Sequence, residues 1–267
     1  MNNDTSSWVL PLLLAVIVAG GAWYYWSNLQ KQAAELPPEP VAAVEEETEP
    51  QIGPLHPMEV PEYDPADRPE LVELPPLGES DQYLKLELTE LFGDSVGRLL
   101  ADSRIIERVV ATVDNLPRGH VAERLRPVTA LPGAFEVYEE SAGQFAISQD
   151  SYERYDPLVD IVANVEINEL MGLYQRYYPL FQSAYEDLGY PDGYFNDRLV
   201  EAIDDMLAAP AVQDPVMLVR PHVMYEFADP DLEARSAGQK LMLRMGGDNA
   251  ARVREKLEEL RAAVAAR

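Results

Sequence analysis

Residues 166–188 read EINELMGLYQRYYPLFQSAYEDL, and this stretch decides the class of fold. Its large apolar side chains recur every three or four residues, which is the spacing of one face of an α-helix. Pro179 predicts a kink in that helix, and Gly189 predicts its end. The apolar stripe consists of Leu170, Leu173, Tyr174, Tyr177, Phe181, Tyr185 and Leu188.

The same spacing on both sides of this stretch predicts further helices, and residues 94–101 are expected to form a turn between the first two. Asp102 and Ser103 are the expected cap of the helix over residues 104–116. Asn196 or Asp197 is the expected cap of the helix over residues 195–207. The predicted helices cover residues 81–92, 104–116, 158–165, 195–207, 230–245 and 249–267.

Two pairs of short apolar runs interrupt the helices. Residues 135–138 and 144–147 alternate apolar and polar side chains around Ser141-Ala142-Gly143, which predicts a hairpin. Residues 216–219 and 223–227 are strands or an extended pair. The fold class is therefore mainly α, an α+β arrangement: a helical domain with a small antiparallel β hairpin.

Residues 9–26 read VLPLLLAVIVAGGAWYYW and carry no charge. As a helix they would span roughly 27 Å, close to the thickness of a bilayer's hydrocarbon core, and aromatic residues lie at both ends. They predict a transmembrane helix after a short tail of residues 1–8. A cleaved signal peptide is the alternative, but residues 1–7 lack the lysine or arginine that such a peptide needs.

Residues 27–79 hold 11 of the chain's 22 prolines and many acids. Proline removes backbone donors and like charges repel, so a disordered, extended tether is expected. It serves either as a spacer or only as a soluble linker. The soluble, mainly helical domain is expected to cover residues 80–267.

Charge and composition exclude several classes of function. The net charge of -26 disfavours nucleic acid as a partner, because both would be negative. The absence of cysteine excludes disulfides, thiol nucleophiles and cysteine-bound metals. The three histidines are far apart in sequence, so we expect neither a metal nor a cofactor.

Arginines concentrate in residues 115–126, within an otherwise acidic domain. Such a loop either binds an anion or pairs with the domain's own acids, since the guanidinium fork suits carboxylate and phosphate. Gly238 predicts a close contact between helices. The candidates for binding a partner or an anion are Asn115, Arg118, His120, Arg124, Arg126, Arg198 and Arg244.

No motif of a serine hydrolase, a zinc protease or a phosphate-binding loop is present in the sequence. The chain is therefore interpreted as a non-enzymatic binding or scaffold module. The alternative is a hydrolase-like envelope enzyme that acts on an anionic substrate. A cleft with a buried, unpaired carboxylate beside Arg118 would favour the enzyme.

Several separated blocks resemble an uncharacterised family of membrane-anchored proteobacterial proteins that carry a domain of unknown function. The blocks are NLPRG at 115–119, YDP at 155–157, residues 177–200 and residues 227–246, and the resemblance covers most of residues 75–260. It implies an envelope protein with an anchor, a tether and a domain, and it brings no activity.

The implied location is the bacterial inner membrane, crossed once. The layout of a signal anchor favours a periplasmic domain, whereas Lys31 as the only nearby base favours a cytoplasmic one. The expected partners are the lipid bilayer, through residues 9–26, and an envelope protein or the cell wall.

Overall fold

The long helix that the sequence predicts is the element around which the domain packs. A computed structural model of the chain describes residues 53–59, 74–131 and 133–265. The α-helices in these ranges are α1 Asp81–Phe92, α2 Asp94–Leu99, α3 Ile105–Asn115, α4 Gln149–Glu153, α5 Asp156–Ala163, α6 Ile167–Asp187, α7 Phe195–Leu207, α8 Pro230–Glu233, α9 Ala237–Arg244 and α10 Gly247–Val264.

The largest apolar cluster forms where α6 meets α1, α3 and α7. Tyr177 and Phe195 are its largest fully buried side chains, and Phe195 stacks on Phe181 with ring centroids 5.5 Å apart. The helix continues through Pro179 and ends before Gly189, which has a φ of 117° that favours glycine. The buried members of the cluster are Leu84, Ile105, Ile106, Val110, Val113, Leu173, Tyr177, Phe181, Ala184, Tyr185, Phe195 and Ala202.

The described strands form a small antiparallel sheet with the strand order β1-β2-β3-β4. Its strands are β1 Val137–Ser141, β2 Gln144–Ile147, β3 Met217–Val219 and β4 Glu226–Phe227. The predicted hairpin is confirmed as β1 and β2, and the two later apolar runs extend it to four strands. The α+β fold class is confirmed.

The helices differ from the predictions in several places: α4 was not predicted, α5 begins at Asp156 rather than at residue 158, and two further differences change the order of elements. Residues 94–101 are not a turn: Gly93 ends α1 with a φ of 80°, and α2 follows at once with Val96 buried. Residues 230–245 form two helices, α8 and α9, because a new helix begins after Ser236. The Ser236 hydroxyl caps α9 by accepting a hydrogen bond from the Gln239 N–H.

Side chains from distant elements satisfy the ends of two helices. The carboxylate of Asp81, on α1, accepts hydrogen bonds from the N–H groups of Arg104 (2.6 Å) and Ile105 (2.7 Å) at the start of α3. The prediction that Asp102 or Ser103 caps this helix is therefore wrong. At the start of α7, the Phe195 N–H donates to Gln182 Oε1 over 2.9 Å, so neither Asn196 nor Asp197 is the cap.

Two stretches of the predicted tether lie against the domain. All described residues belong to one compact unit, Ile52–Arg267. Leu74 and Leu77 pack on the helical core, and Met58 packs on a second cluster formed by α6, α7 and α10. The sequence assigns these residues to the tether because proline and acid surround them, yet each apolar side chain has a core to contact.

The predicted transmembrane helix, residues 9–26, lies outside the described residues. Within the described ranges, no helix has both the length and the apolar character needed to cross a bilayer.

We expect Asp81→Ala to lower the free energy of unfolding by about 0.5–2 kcal/mol, because α3 loses a carboxylate that caps two of its N–H groups. Thermal unfolding of the detergent-solubilised chain measures the effect. Asp102→Ala is the matched control and should leave the midpoint unchanged. A larger loss for Asp102→Ala than for Asp81→Ala would contradict the structure.

Candidate functional site

The carboxylate of Asp114, near the end of α3, is buried where three segments of the chain meet. Its side chain is only 6% exposed, and two arginines converge on it. Arg118 Nη2 lies 3.0 Å from Asp114 Oδ1, and Arg198 Nε, from α7, lies 3.2 Å from the same oxygen. Arg198 also donates to the backbone carbonyl of Asp114. The charge is thus neutralised within the fold.

Tyr190 closes this network from the loop between α6 and α7. Its hydroxyl accepts a hydrogen bond from Arg118 Nη2 over 2.6 Å and lies 3.5 Å from Asp114 Oδ2. The hydrogen bond with Tyr190, followed by the charge of Asp114, raises the pKa of Arg118 above its usual value. The Tyr190 ring stacks on Tyr185, with centroids 4.7 Å apart, and burial raises the pKa of Tyr185.

The turn that follows Asp114 also receives the start of α9. The carbonyl oxygens of Leu116 and Arg118 accept the N–H groups of Gly238 (2.9 Å) and Ala237 (2.6 Å). A Cβ on Gly238 would lie 2.8 Å from Met206 Cγ, so a larger residue here would require the Met206 side chain to move. The predicted close contact at Gly238 is confirmed.

A second group of arginines lies near the N-terminal end of α3. Among the described residues, hydrogen bonds to backbone carbonyls, rather than ion pairs, hold this region together. Arg108 Nη1 donates to the carbonyl oxygens of Arg124 (2.6 Å) and Arg126 (3.2 Å), and Thr112 Oγ1 donates to that of Leu125 (2.9 Å). These bonds fix the backbone of the loop. The side chains of Arg124 and Arg126 are exposed.

We name the surface formed by Arg104, Arg108, Arg124 and Arg126 the arginine face. Arg104 precedes α3 with a φ of 55° and is exposed, one helical turn before Arg108. In the part of the chain that the structure describes, none of these four arginines forms an ion pair with a carboxylate. The face therefore presents positive charge on a chain of net charge -26.

The structure divides the predicted candidates into separate places. Arg118 and Arg198 meet at Asp114, whereas Arg124 and Arg126 belong to the arginine face. Asn115 donates to the Ala111 carbonyl within α3, and its side chain serves that helix. His120 is exposed between the two groups. Arg244 lies elsewhere, over the Phe227 ring at 5.4 Å from its centroid.

Sequence reasoning missed Asp114, Tyr190, Arg104 and Arg108. Asp114 and Arg118 stand four residues apart, which is the spacing of a helical ion pair, so that partner was detectable. Nothing in the sequence links Tyr190 to Arg118 or Arg108 to the carbonyls of 124 and 126, since these contacts depend on tertiary packing.

An acidic cavity of about 340 Å³ lies between α4, α5 and the start of α10. Asp156 accepts a hydrogen bond from Asn249 Nδ2 at 2.8 Å, and Asp160 pairs with Arg252 at 2.6 Å. Burial, followed by the hydrogen bond with Asp214, raises the pKa of Tyr152. Across the described ranges, no group of three or more histidines and acids is placed to hold a metal ion.

A more apolar cavity of about 300 Å³ lies between α10 and the chain that follows α7. Ala209, Val212, Met242 and Ala250 contribute to its lining, and Arg254 borders it. Neither cavity is lined by Arg118 or Arg198.

Comparison with known proteins gives one match. A family model described as "Protein of unknown function (DUF3014)" matches residues 105–261, which is more than half of the chain. The matched range begins at the first residue of α3 and includes Asp114, its partners and the start of α9. No curated protein and no solved structure matches the chain.

We expect Arg198→Ala to destabilise the domain by about 3–5 kcal/mol, because it leaves the buried Asp114 carboxylate with only the exposed Arg118 as an ionic partner. Thermal unfolding of the detergent-solubilised chain measures the loss. Arg118→Ala should lower the midpoint less, because that side chain is 51% exposed.

Arg261→Ala is the control for this comparison, since Arg261 pairs with Asp204 at the surface and such pairs add little stability. Equal midpoints for Arg198→Ala and Arg261→Ala would show that Asp114 does not depend on Arg198.

Proposed function

The chain belongs to the DUF3014 family of proteins of unknown function, and we propose that its folded domain is a non-enzymatic binding module whose arginine face recognises an anionic partner. The observation that carries this proposal is the group of four arginines that form no ion pair in the described part of an acidic chain. Carboxylate and phosphate groups are the ligands that guanidinium forks bind best.

The way in which the loop is held supports binding rather than a purely structural role. Arg108 and Thr112 bind the loop through its backbone carbonyls, so the chain has a fixed course. The guanidinium groups of Arg124 and Arg126 take no part in these bonds and stay exposed. A fixed backbone with free charged side chains lowers the entropy that a partner must overcome on binding.

The enzyme alternative has less support from the site. A buried, unpaired carboxylate in a cleft beside Arg118 would favour the enzyme. The carboxylate beside Arg118 is Asp114, which is buried but already paired with Arg118 and Arg198. A carboxylate paired with two arginines is suited to holding elements together rather than to transferring a proton.

We further propose that the domain works on a membrane-tethered chain in a bacterial envelope. Residues 9–26 serve as a single transmembrane helix, and the acidic, proline-rich residues that follow separate it from the domain. The domain faces the periplasm, where its partner is an envelope protein or a cell-wall component that bears carboxylate or phosphate. A cytoplasmic domain is the alternative orientation.

The first test concerns the arginine face. A photo-crosslinking amino acid in place of the exposed Thr129 should capture a partner in intact cells, and the double variant Arg124→Ala, Arg126→Ala should reduce capture by about tenfold or more. The melting midpoint should stay unchanged, because these side chains make no ion pair in the described ranges. Raised salt should weaken capture as well.

Arg261→Ala is the matched control, because it removes one exposed arginine from another surface. It should leave capture at the wild-type level. Undiminished capture by the double variant would refute the arginine face as the binding surface.

The second test concerns the membrane. We expect the chain to stay in the membrane pellet after a carbonate wash, because residues 9–26 form an uninterrupted apolar run. A phosphatase fused after residue 267 should be active, as that enzyme needs the periplasm. Release by carbonate would contradict the anchor, and an inactive phosphatase with a fluorescent cytoplasmic fusion would reverse the orientation.

A further inference from the structure

Residues 53–59, which read GPLHPME, lie against the domain and bend at Leu55 and His56. Their exposure alternates: Pro54, His56 and Met58 are partly buried, and the residues between them are exposed. One face of the segment therefore lies on the domain. We name these residues the docked segment.

The backbone of the docked segment binds a carboxylate on α7. Asp197 Oδ2 accepts the Leu55 N–H at 3.0 Å, and Asp197 Oδ1 accepts the His56 N–H at 2.7 Å. A carboxylate in the first turn of a helix usually serves that helix. Here the Phe195 N–H already donates to Gln182, so Asp197 is available for another chain segment.

A buried amide completes the backbone recognition. Asn196 is fully buried, and its Nδ2 donates to the His56 carbonyl at 2.8 Å and to the Val264 carbonyl at 2.9 Å. The Tyr174 hydroxyl donates to Asn196 Oδ1 at 3.1 Å, which fixes the orientation of the amide. One of the two Nδ2 hydrogens therefore points at the place where a peptide carbonyl lies.

The apolar end of the segment is Met58, which packs on the cluster formed by α6, α7 and the end of α10. The buried members of that cluster are Met171, Val200, Ile203 and Val264. The domain thus offers a carboxylate, an oriented amide and an apolar surface in sequence along the segment. Main-chain bonds give affinity for a bound peptide, and contacts to its side chains give selectivity.

We propose that these three groups form a peptide site for proline-containing segments that carry an apolar side chain at the position of Met58, and that the docked segment occupies it in cis. The site uses none of the residues of the arginine face and goes beyond the function proposed above. The occupant exchanges with peptides of the same pattern, because few groups in the described part of the chain hold it.

The contacts themselves indicate an exchangeable occupant. His56 Nδ1 is buried without a hydrogen-bond partner among the described residues, so the fit at this residue is incomplete. Among the described residues, the segment makes two N–H bonds, one carbonyl bond and one apolar contact.

The first experiment measures hydrogen exchange in the full chain in detergent. We expect the Leu55 and His56 amides to exchange about tenfold or more slowly in the wild type than in Asp197→Ala. Asp192→Ala, which removes a nearby exposed acid that makes no hydrogen bond in the described ranges, is the matched control and should keep the protection. Equal exchange in the wild type and Asp197→Ala overturns the proposal.

The second experiment adds a labelled synthetic peptide of residues 53–59 to the full chain and follows fluorescence anisotropy. Met58→Glu places a charge against the apolar cluster and should release the docked segment from the peptide site. This variant should therefore bind the added peptide about tenfold more tightly than the wild type does. The double variant Met58→Glu, Asp197→Ala should lose that binding. Equal binding by the two variants, or none by Met58→Glu, overturns the peptide site.

The same exchange measurement distinguishes a segment bound in cis from one donated by a second copy. Protection in cis is independent of protein concentration. Protection that disappears on dilution, while wild-type chains form dimers, assigns the occupant to a second copy and overturns the assignment in cis.

Discussion

A buried carboxylate, that of Asp114, is the constraint on which the arrangement of this domain depends. A charge at this depth costs several kcal/mol unless it is paired, and breaking such a pair leaves the charge uncompensated. Arg198 can reach Asp114 only if α7 crosses α3 at this point, and Arg118 only if the chain turns after residue 115. The carbonyls of that turn then receive the first N–H groups of α9, so a third element depends on the same ion pairs.

This network separates arginines that look alike in sequence. Arg118 lies six residues before Arg124, yet the first guanidinium is bound to Asp114 and Tyr190 while the second is exposed. The difference comes from α3, which presents Asp114 at one end and Arg108 at the other. Arg108 binds backbone carbonyls and leaves the neighbouring charges unpaired within the described ranges. Paired and unpaired arginines of the described part of the chain thus lie at opposite ends of one helix.

The elements with strong periodicity were predictable, and the contacts between them were not. Residues 166–188 and 195–207 show their helices through local apolar spacing, and α7 has the predicted bounds. The cap of α3 was assigned to Asp102 because it is adjacent in sequence, whereas Asp81, 23 residues before Arg104, provides it. Capping, ion pairing and the placement of Met58 depend on which distant groups share a surface, and a single sequence carries little of that information.

The acidic composition and the arginine face are compatible because salt limits the range of charge effects. At physiological ionic strength the screening length is about 8 Å, so acids far along the chain hardly affect an anion in contact with Arg124 and Arg126. The charges that matter there are local: Arg104 and Arg108 add to the attraction, and the acids Asp81, Asp102 and Glu123 oppose it. The net charge of -26 instead acts on approach, where it weakens encounters with extended polyanions. Under the proposed function, an anion that reaches the face must therefore fit the donor geometry of the arginines, and selectivity would follow from contact rather than from long-range attraction.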